Sequence, residues 1–253
     1  MLAVDRVSFS IRRGSICALL GGNGAGKTTL LKLMFCAERP SSGAIIANGV
    51  NISRMKPSTI PALRRSIGVV FQDFKLINNR TVFENVAFAL EVRGIGRKTI
   101  KKKVWQTLKW VGLLQKKDTL PPCLSGGEQQ RVAIARALVQ EPHLILADEP
   151  IASLDPHNAT LVMEALKRIN QEVGITVICN LHHLATARSY CERIIGMHAG
   201  RIVFYGPPSE LTTKKALEVY GTEGDSDELK QALGEGPVQK EDEPASRVAI
   251  ASG

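Results

Sequence analysis

Gly21-Gly22-Asn23-Gly24-Ala25-Gly26-Lys27-Thr28 follows an apolar run, Ser15–Leu20, and leads into a helical pattern that begins at Lys27. The eight residues satisfy G-x-x-x-x-G-K-[ST] in the strand–loop–helix setting that the motif requires. Glycine lets the backbone wrap closely around a phosphate, so that several N–H groups point inward, and the following helix sets its positive end against the anion. Lys27 is therefore expected on the β- and γ-phosphates and the Thr28 hydroxyl on Mg2+, with Thr29 beside them in the first helical turn. An intact pattern in this setting leaves little room for an ordinary glycine-rich turn.

Working outward, a second apolar run, Leu144-Ile145-Leu146-Ala147, ends in Asp148-Glu149-Pro150. Carboxylates at the carboxyl end of a core strand stand where sheets of this kind bind ligands. Adjacent strand residues point to opposite sides, so the two carboxylates divide the work: Asp148 for the metal's hydration shell, Glu149 as general base for an attacking water. Further strands are expected at Val7–Ile11, Ala44–Asn48, Ile67–Phe71 and Thr176–Asn180, and helices at Lys27–Cys36, Val82–Arg93, Thr99–Val111, Gly127–Gln140, Pro156–Glu172 and His183–Cys191. This alternation predicts an α/β fold, a P-loop NTPase core with a mostly parallel sheet. Residues 81–120 interrupt it with two successive helical patterns and read as an inserted helical subdomain. Arg193–His198 and Arg201–Tyr205, joined by Ala199-Gly200, read as a hairpin. The division expected is 1–80 and 125–220 for the two parts of the ATP-binding core, 81–124 for the helical subdomain, and 221–253 for a disordered tail.

Composition narrows the functional classes. The chain has 253 residues, 44% of them hydrophobic and 23% charged, enough for a sizeable core, and no run nears the ~18 apolar residues of a membrane span. The N-terminus shows no secretory pattern. Five scattered cysteines without metal-ligand spacing are expected to be reduced and mostly buried. From Gly221 onward eight acids face three bases, a net of −5 against +9 for the whole, which leaves +14 on the body. Such a body suits phosphate-bearing ligands, acidic headgroups or nucleic acid, and charge alone does not choose among them.

Leu124-Ser125-Gly126-Gly127-Glu128 before a helical run adds a third element. Together with the loop at Gly21 and Asp148-Glu149, it resembles the ATP-binding subunit of ABC transporters along essentially all of residues 1–220. The resemblance implies the ABC ATPase fold, ATP and Mg2+ as cofactors, and a head-to-tail dimer. In it Ser125, Gly126 and Gly127 of one copy close over the γ-phosphate held by the other copy's Gly21, Gly22, Asn23, Gly24, Ala25, Gly26, Lys27, Thr28 and Thr29. It further implies that Gln72 touches Mg2+ and the water, that Ser153-Leu154-Asp155 crosses the dimer seam, and that His182 contacts the γ-phosphate. His183 is read as structural, as are His143, His157 and His198.

Two departures from the family pattern stand out. The family usually places a strand and an adenine-stacking aromatic ahead of the segment matching Ala3–Ile11, whereas here no aromatic precedes Phe9. Losing one such stack is expected to weaken nucleotide binding by about 1–3 kcal/mol. The second departure is a mixed signature. Ile67–Leu76 with Asn79–Val86 is similar to the bacterial cell-division ABC ATPase. Ala147–Pro156, Asn180-Leu181-His182 and Tyr190-Cys191 through Gly206-Pro207-Pro208 are similar to phosphonate-importer ATPases. Import through separate transmembrane permease subunits is the reading taken, with the chain peripheral to the membrane on the cytoplasmic face of the inner membrane. A division complex in which hydrolysis gates a membrane partner is the alternative. Lys101-Lys102-Lys103 and Lys116-Lys117 are expected to be a solvated face. A DNA-acting relative would carry long coiled-coil insertions or two fused cassettes, so no nucleic-acid partner is expected.

Overall fold

The computed structural model describes residues 3–47, 49–221, 229 and 232. Three strands, β1 (Ile16–Leu20), β5 (Leu144–Asp148) and β6 (Thr176–Asn180), are short runs rich in apolar residues, the composition of parallel strands covered on both faces. With β4 (Ile67–Val70), β7 (Arg193–His198) and β8 (Arg201–Gly206) they form one sheet in the order β4-β5-β6-β1-β7-β8. All neighbours are parallel except β7 and β8. That pair is the expected hairpin; Ala199 and Gly200 both take positive φ, 46° and 80°, the twist that a two-residue hairpin turn favours.

Residue parity sorts the core onto two faces. Leu19, Leu146, Ile178 and Ile195 pack with Leu30, Leu31 and Met34 of α1 (Lys27–Met34). Ala18, Leu20, Ala147, Val177 and Ile194 face a larger cluster. Val86 and Leu90 of α3 (Val82–Glu91), Val104 and Leu108 of α4 (Arg97–Trp110), Val132 and Ile134 of α5 (Gly126–Leu138), and Met163 and Leu166 of α6 (Pro156–Val173) join that second cluster. No strand separates α3 from α4, and the two helices share one continuous core with the sheet.

Local chemistry explains the helix ends. Thr81 and Glu84 close a capping box on α3, Asp155 caps α6 ahead of Pro156, and Gly174 ends α6 in the left-handed conformation. The pattern missed α2 (Ile60–Arg65) and α8 (Thr213–Tyr220); the former buries no residue, so no apolar stripe marks it. α7 (Leu184–Tyr190) completes the set.

Two expected strands are corrected. Val7–Ile11 is extended but joins no ladder; the Asp5 amide donates to Gly200 O at 2.8 Å, and the Tyr205 hydroxyl donates to Ser10 O. Turn and side-chain contacts hold the segment where strand pairing was expected. Ala44–Asn48 reduces to β2 (Ile46–Ala47), which pairs only with β3 (Val50–Asn51). Ile46 is 69% exposed and Val50 53%, so this hairpin leaves its apolar side chains in solvent and is not drawn into the main sheet. The expected disordered tail lies largely outside the described residues; Leu229 and Ala232, which are described, are helical, and Leu229 is buried in the core.

Candidate nucleotide site

The parallel strands β1, β4, β5 and β6 lie side by side, so the segments following their carboxyl ends open on one edge of the sheet. That edge gathers residues far apart in the chain. After β1, the loop passes through Gly21, Gly24 and Gly26 with φ of 154°, 72° and 100°. Cβ atoms on Gly21 and Gly26 would lie 2.3 Å from Met197 O and 2.4 Å from Ala3 O. Only glycine satisfies both the conformation and the space. Lys27 is 5% exposed, and its Nζ donates to Gly21 O at 2.6 Å and Gly22 O at 3.0 Å, so the ammonium lies inside the concavity of the loop.

Thr28 begins the contact with β5: its Oγ1 donates to Asp148 Oδ1 at 3.3 Å. Asp148 Oδ1 also accepts from Asn180 Nδ2 at 2.7 Å. Asn180 is fully buried and ends β6, so it fixes the carboxylate from the neighbouring strand. Glu149, one residue on, has φ 51°, a conformation that costs energy for a residue with a Cβ and persists only where surrounding contacts hold it. Its amide donates to Asn180 O at 3.2 Å, and its Oε1 lies 2.8 Å from His182 Nε2. The backbone of His182 is held in turn, with the Tyr220 hydroxyl donating to His182 O at 2.7 Å.

Ser125 caps α5. Its Oγ accepts the Glu128 amide at 3.2 Å and its own amide donates to Glu128 Oε2 at 2.9 Å, a reciprocal capping box. Because the hydroxyl is an acceptor here, its hydrogen is left for an anion in front of the helix. Lys116 Nζ reaches Glu128 Oε1 at 2.6 Å. Burial alone would raise the Glu128 carboxyl, but Lys116 and the Ser125 amide outweigh it and hold the group below its usual range. A Cβ on Gly127 would lie 2.2 Å from Asn158 Oδ1, so glycine lets the first turn of α5 rest against α6. Asp155 accepts the Asn158 amide at 3.0 Å, which links Ser153-Leu154-Asp155 to the same turn.

The structure thus brings Lys27, Thr28 and Asp148 together, and Glu149 with His182. Gln72 follows β4 on the same sheet edge but makes no hydrogen bond to Thr28 or Asp148. Among the described residues, Ser125, Gly126 and Gly127 make no hydrogen bond to the loop at Gly21–Thr29. Asn180 and Tyr220 escaped sequence reasoning; a polar residue closing the apolar run Thr176–Cys179 was the signal for Asn180, whereas nothing local marked Tyr220.

The donor set suits a magnesium nucleotide. Mg2+ takes oxygen ligands and keeps several waters, leaning on one or two protein groups plus phosphates. Thr28 Oγ1 and Asp148 Oδ1, 3.3 Å apart, are oxygen donors of that kind.

Comparison with known proteins gives the chain's family. Residues 4–152 match the family model described as ABC transporter. The phosphonates import ATP-binding protein PhnC of Rhizobium johnstonii is 42% identical, covering 99% of this chain and 94% of its own. The methionine import ATP-binding protein MetN of Haemophilus influenzae is 38% identical over 87% of this chain and 64% of its own. Among solved structures, a dimeric post-hydrolysis state of the ATP-binding cassette MJ0796 bound to ADP and Pi has a TM-score of 0.74 at 34% identity, covering 81% of this chain and 90% of that one. The structure of cbiO1 from Clostridium perfringens, part of the ABC transporter complex cbiONQ, has a TM-score of 0.79 at 36% identity, covering 85% and 86%.

Proposed function

Since this chain belongs to the ABC transporter family, we propose that it is the ATP-hydrolysing subunit of an importer whose membrane-spanning permease is made by other chains. The observation that carries the reading is one sheet edge holding both a phosphate loop with an inward lysine and a carboxylate, Glu149, paired to His182 at 2.8 Å. Water attacks the γ-phosphate in line with the leaving oxygen. Glu149 accepts the water's proton, His182 holds that carboxylate and touches the γ-phosphate, and Gln72 orients the water. Lys27 supplies positive charge as it builds on the phosphate oxygens. Thr28 and Asp148, with Gln72, are the oxygen ligands that would hold Mg2+, whose charge offsets that of the β- and γ-phosphates.

The γ-phosphate is capped from the other side by Ser125, Gly126 and Gly127 of a second copy, so the working unit is a head-to-tail dimer; the dimeric MJ0796 cassette supports this. Residues 81–124, the helical subdomain, meet the permease. No helix among the described residues is long and apolar enough to cross a membrane; the chain is read as peripheral, on the cytoplasmic face, from its likeness to import ATP-binding proteins. The cargo is read as phosphonate from the PhnC relative's coverage of nearly the whole chain, against the partial coverage of MetN.

The test is to purify the chain with its co-purifying membrane protein, reconstitute both in vesicles and measure ATP turnover and uptake. Turnover stimulated by a phosphonate with its binding protein is expected. Stimulation by methionine would replace the cargo, and turnover driven by DNA rather than by any membrane partner would overturn the importer reading.

A further inference from the structure

α5 carries the Ser125 end at its start and a half-buried cation, Arg136, at its close. Arg136, in the last turn, donates from Nη1 to Lys75 O at 2.5 Å and from Nη2 to Phe74 O at 2.8 Å. No carboxylate pairs with it among the described residues; two consecutive backbone carbonyls satisfy the guanidinium fork, and burial lowers its pKa. Those carbonyls belong to residues in a costly conformation, with φ of 56° at Phe74 and 49° at Lys75. Such a turn persists only when outside contacts hold it. It begins two residues after Gln72. The same turn also meets the other end of α5, since a Cβ on Gly126 would lie 3.9 Å from Phe74 Cζ and 3.1 Å from Leu154 Cδ2. Side chains on a helix lean toward its N-terminus, which is how a fork from residue 136 and a ring beside residue 126 hold one short turn between them.

We propose that Arg136 is a positioning residue that locks the Gln72 turn to α5, so that the glutamine serving a chain's own ATP site and the Ser125 end serving its partner's site move as one body. This rests on the dimer described above. Each chain then contributes to both sites through a single rigid unit, and Arg136 is the link that makes hydrolysis at the two sites interdependent. A planar fork suits the job, because its two Nη groups each reach one of two adjacent carbonyls, whereas a lysine offers a single ammonium without that fixed geometry.

The experiment compares the wild type, Arg136→Gln and Arg136→Lys as full chains. Single-chain ATP binding, read with a fluorescent nucleotide, should change less than about twofold, since Arg136 touches no part of the loop at Gly21. Steady-state turnover should lose its cooperativity, the Hill coefficient falling from about 2 to about 1, with kcat down about tenfold or more from the misplaced turn. The lysine variant should recover part of the rate but little of the cooperativity. Heterodimers of one wild-type and one Arg136→Gln copy provide the sharper readout: both sites should slow, because one altered chain loosens its own Gln72 and the Ser125 end it lends. Retention of half the wild-type activity would show that Arg136 serves only its own site and would overturn the coupling. If Arg136→Gln does not fold, the same measurements on Arg136→Lys decide. A wild type that neither dimerises nor shows cooperativity would instead defeat the dimer reading itself; a cooperative wild type with an equally cooperative variant defeats only the role of Arg136.

Discussion

At the scale of single residues, the site depends on a few side chains held in costly places. Glu149 combines positive φ with a 2.8 Å contact to His182, so its carboxylate has little freedom to be elsewhere. Glu149→Gln keeps the shape and removes the base. Turnover should fall about 10²- to 10⁴-fold, while ATP binding survives and an ATP-bound dimer accumulates on size-exclusion chromatography. Normal turnover in that variant would remove Glu149 from the role assigned to it. The cysteines provide a control on burial. Burial pushes the Cys179 thiol up to about 12 and raises Cys17 and Cys191 as well, whereas Cys123 is exposed. Because the thiolate is the reactive form, iodoacetamide on the native protein should label Cys123 first, with the other four reacting only on unfolding. Mass spectrometry showing rapid labelling of Cys179 in the folded protein would contradict the packing of β6 against β1.

At the scale of elements, α5 is governed by its first turn. Ser125→Ala removes the cap and should cost about 1 kcal/mol of stability, a modest loss in chemical denaturation; the loss of hydrolysis should be far larger, because the hydroxyl serves the partner's phosphate. Glu128 adds a pH dependence. Its folded-state value is held below the ordinary one, so its contribution is fully present above the unfolded-state value and is lost as pH falls through the folded-state value. Relative to Glu128→Gln, the wild type should therefore keep a constant advantage in melting temperature near neutrality. That advantage should shrink below about pH 4, the ordinary carboxylate range. A gap that widened on acidification would carry the wrong sign and refute the capping role.

At the scale of the whole molecule, Ser125, Gly126 and Gly127 lie within the same chain as the loop at Gly21 yet make no hydrogen bond to it among the described residues. A site completed by a second copy should show specific activity that falls on dilution below the dimer's dissociation constant. A rate per chain that stays constant over about a hundredfold dilution would show that one copy suffices, since mass action leaves no such freedom to an obligate dimer.

What the sequence determined by itself was everything whose cause is local. The loop at Gly21–Thr28 needs glycine at fixed offsets, Asp155-Pro156 starts a helix, Ala199-Gly200 closes a hairpin, and the apolar runs at β1, β5 and β6 have to be buried; each of these acts over a few residues and can be read along the chain. Tertiary structure decided the pairings whose partners lie far apart. Asn180 meets Asp148 across 32 positions, Arg136 meets Phe74 across 62, and the Tyr220 hydroxyl meets His182 O across 38. These depend on strand order and on the approach of α5 to β4, which packing of the whole core selects and no short-range preference encodes. The same reason undid the strand expected at Val7–Ile11: its pattern suits a strand, but a strand exists only where the fold sets another backbone beside it.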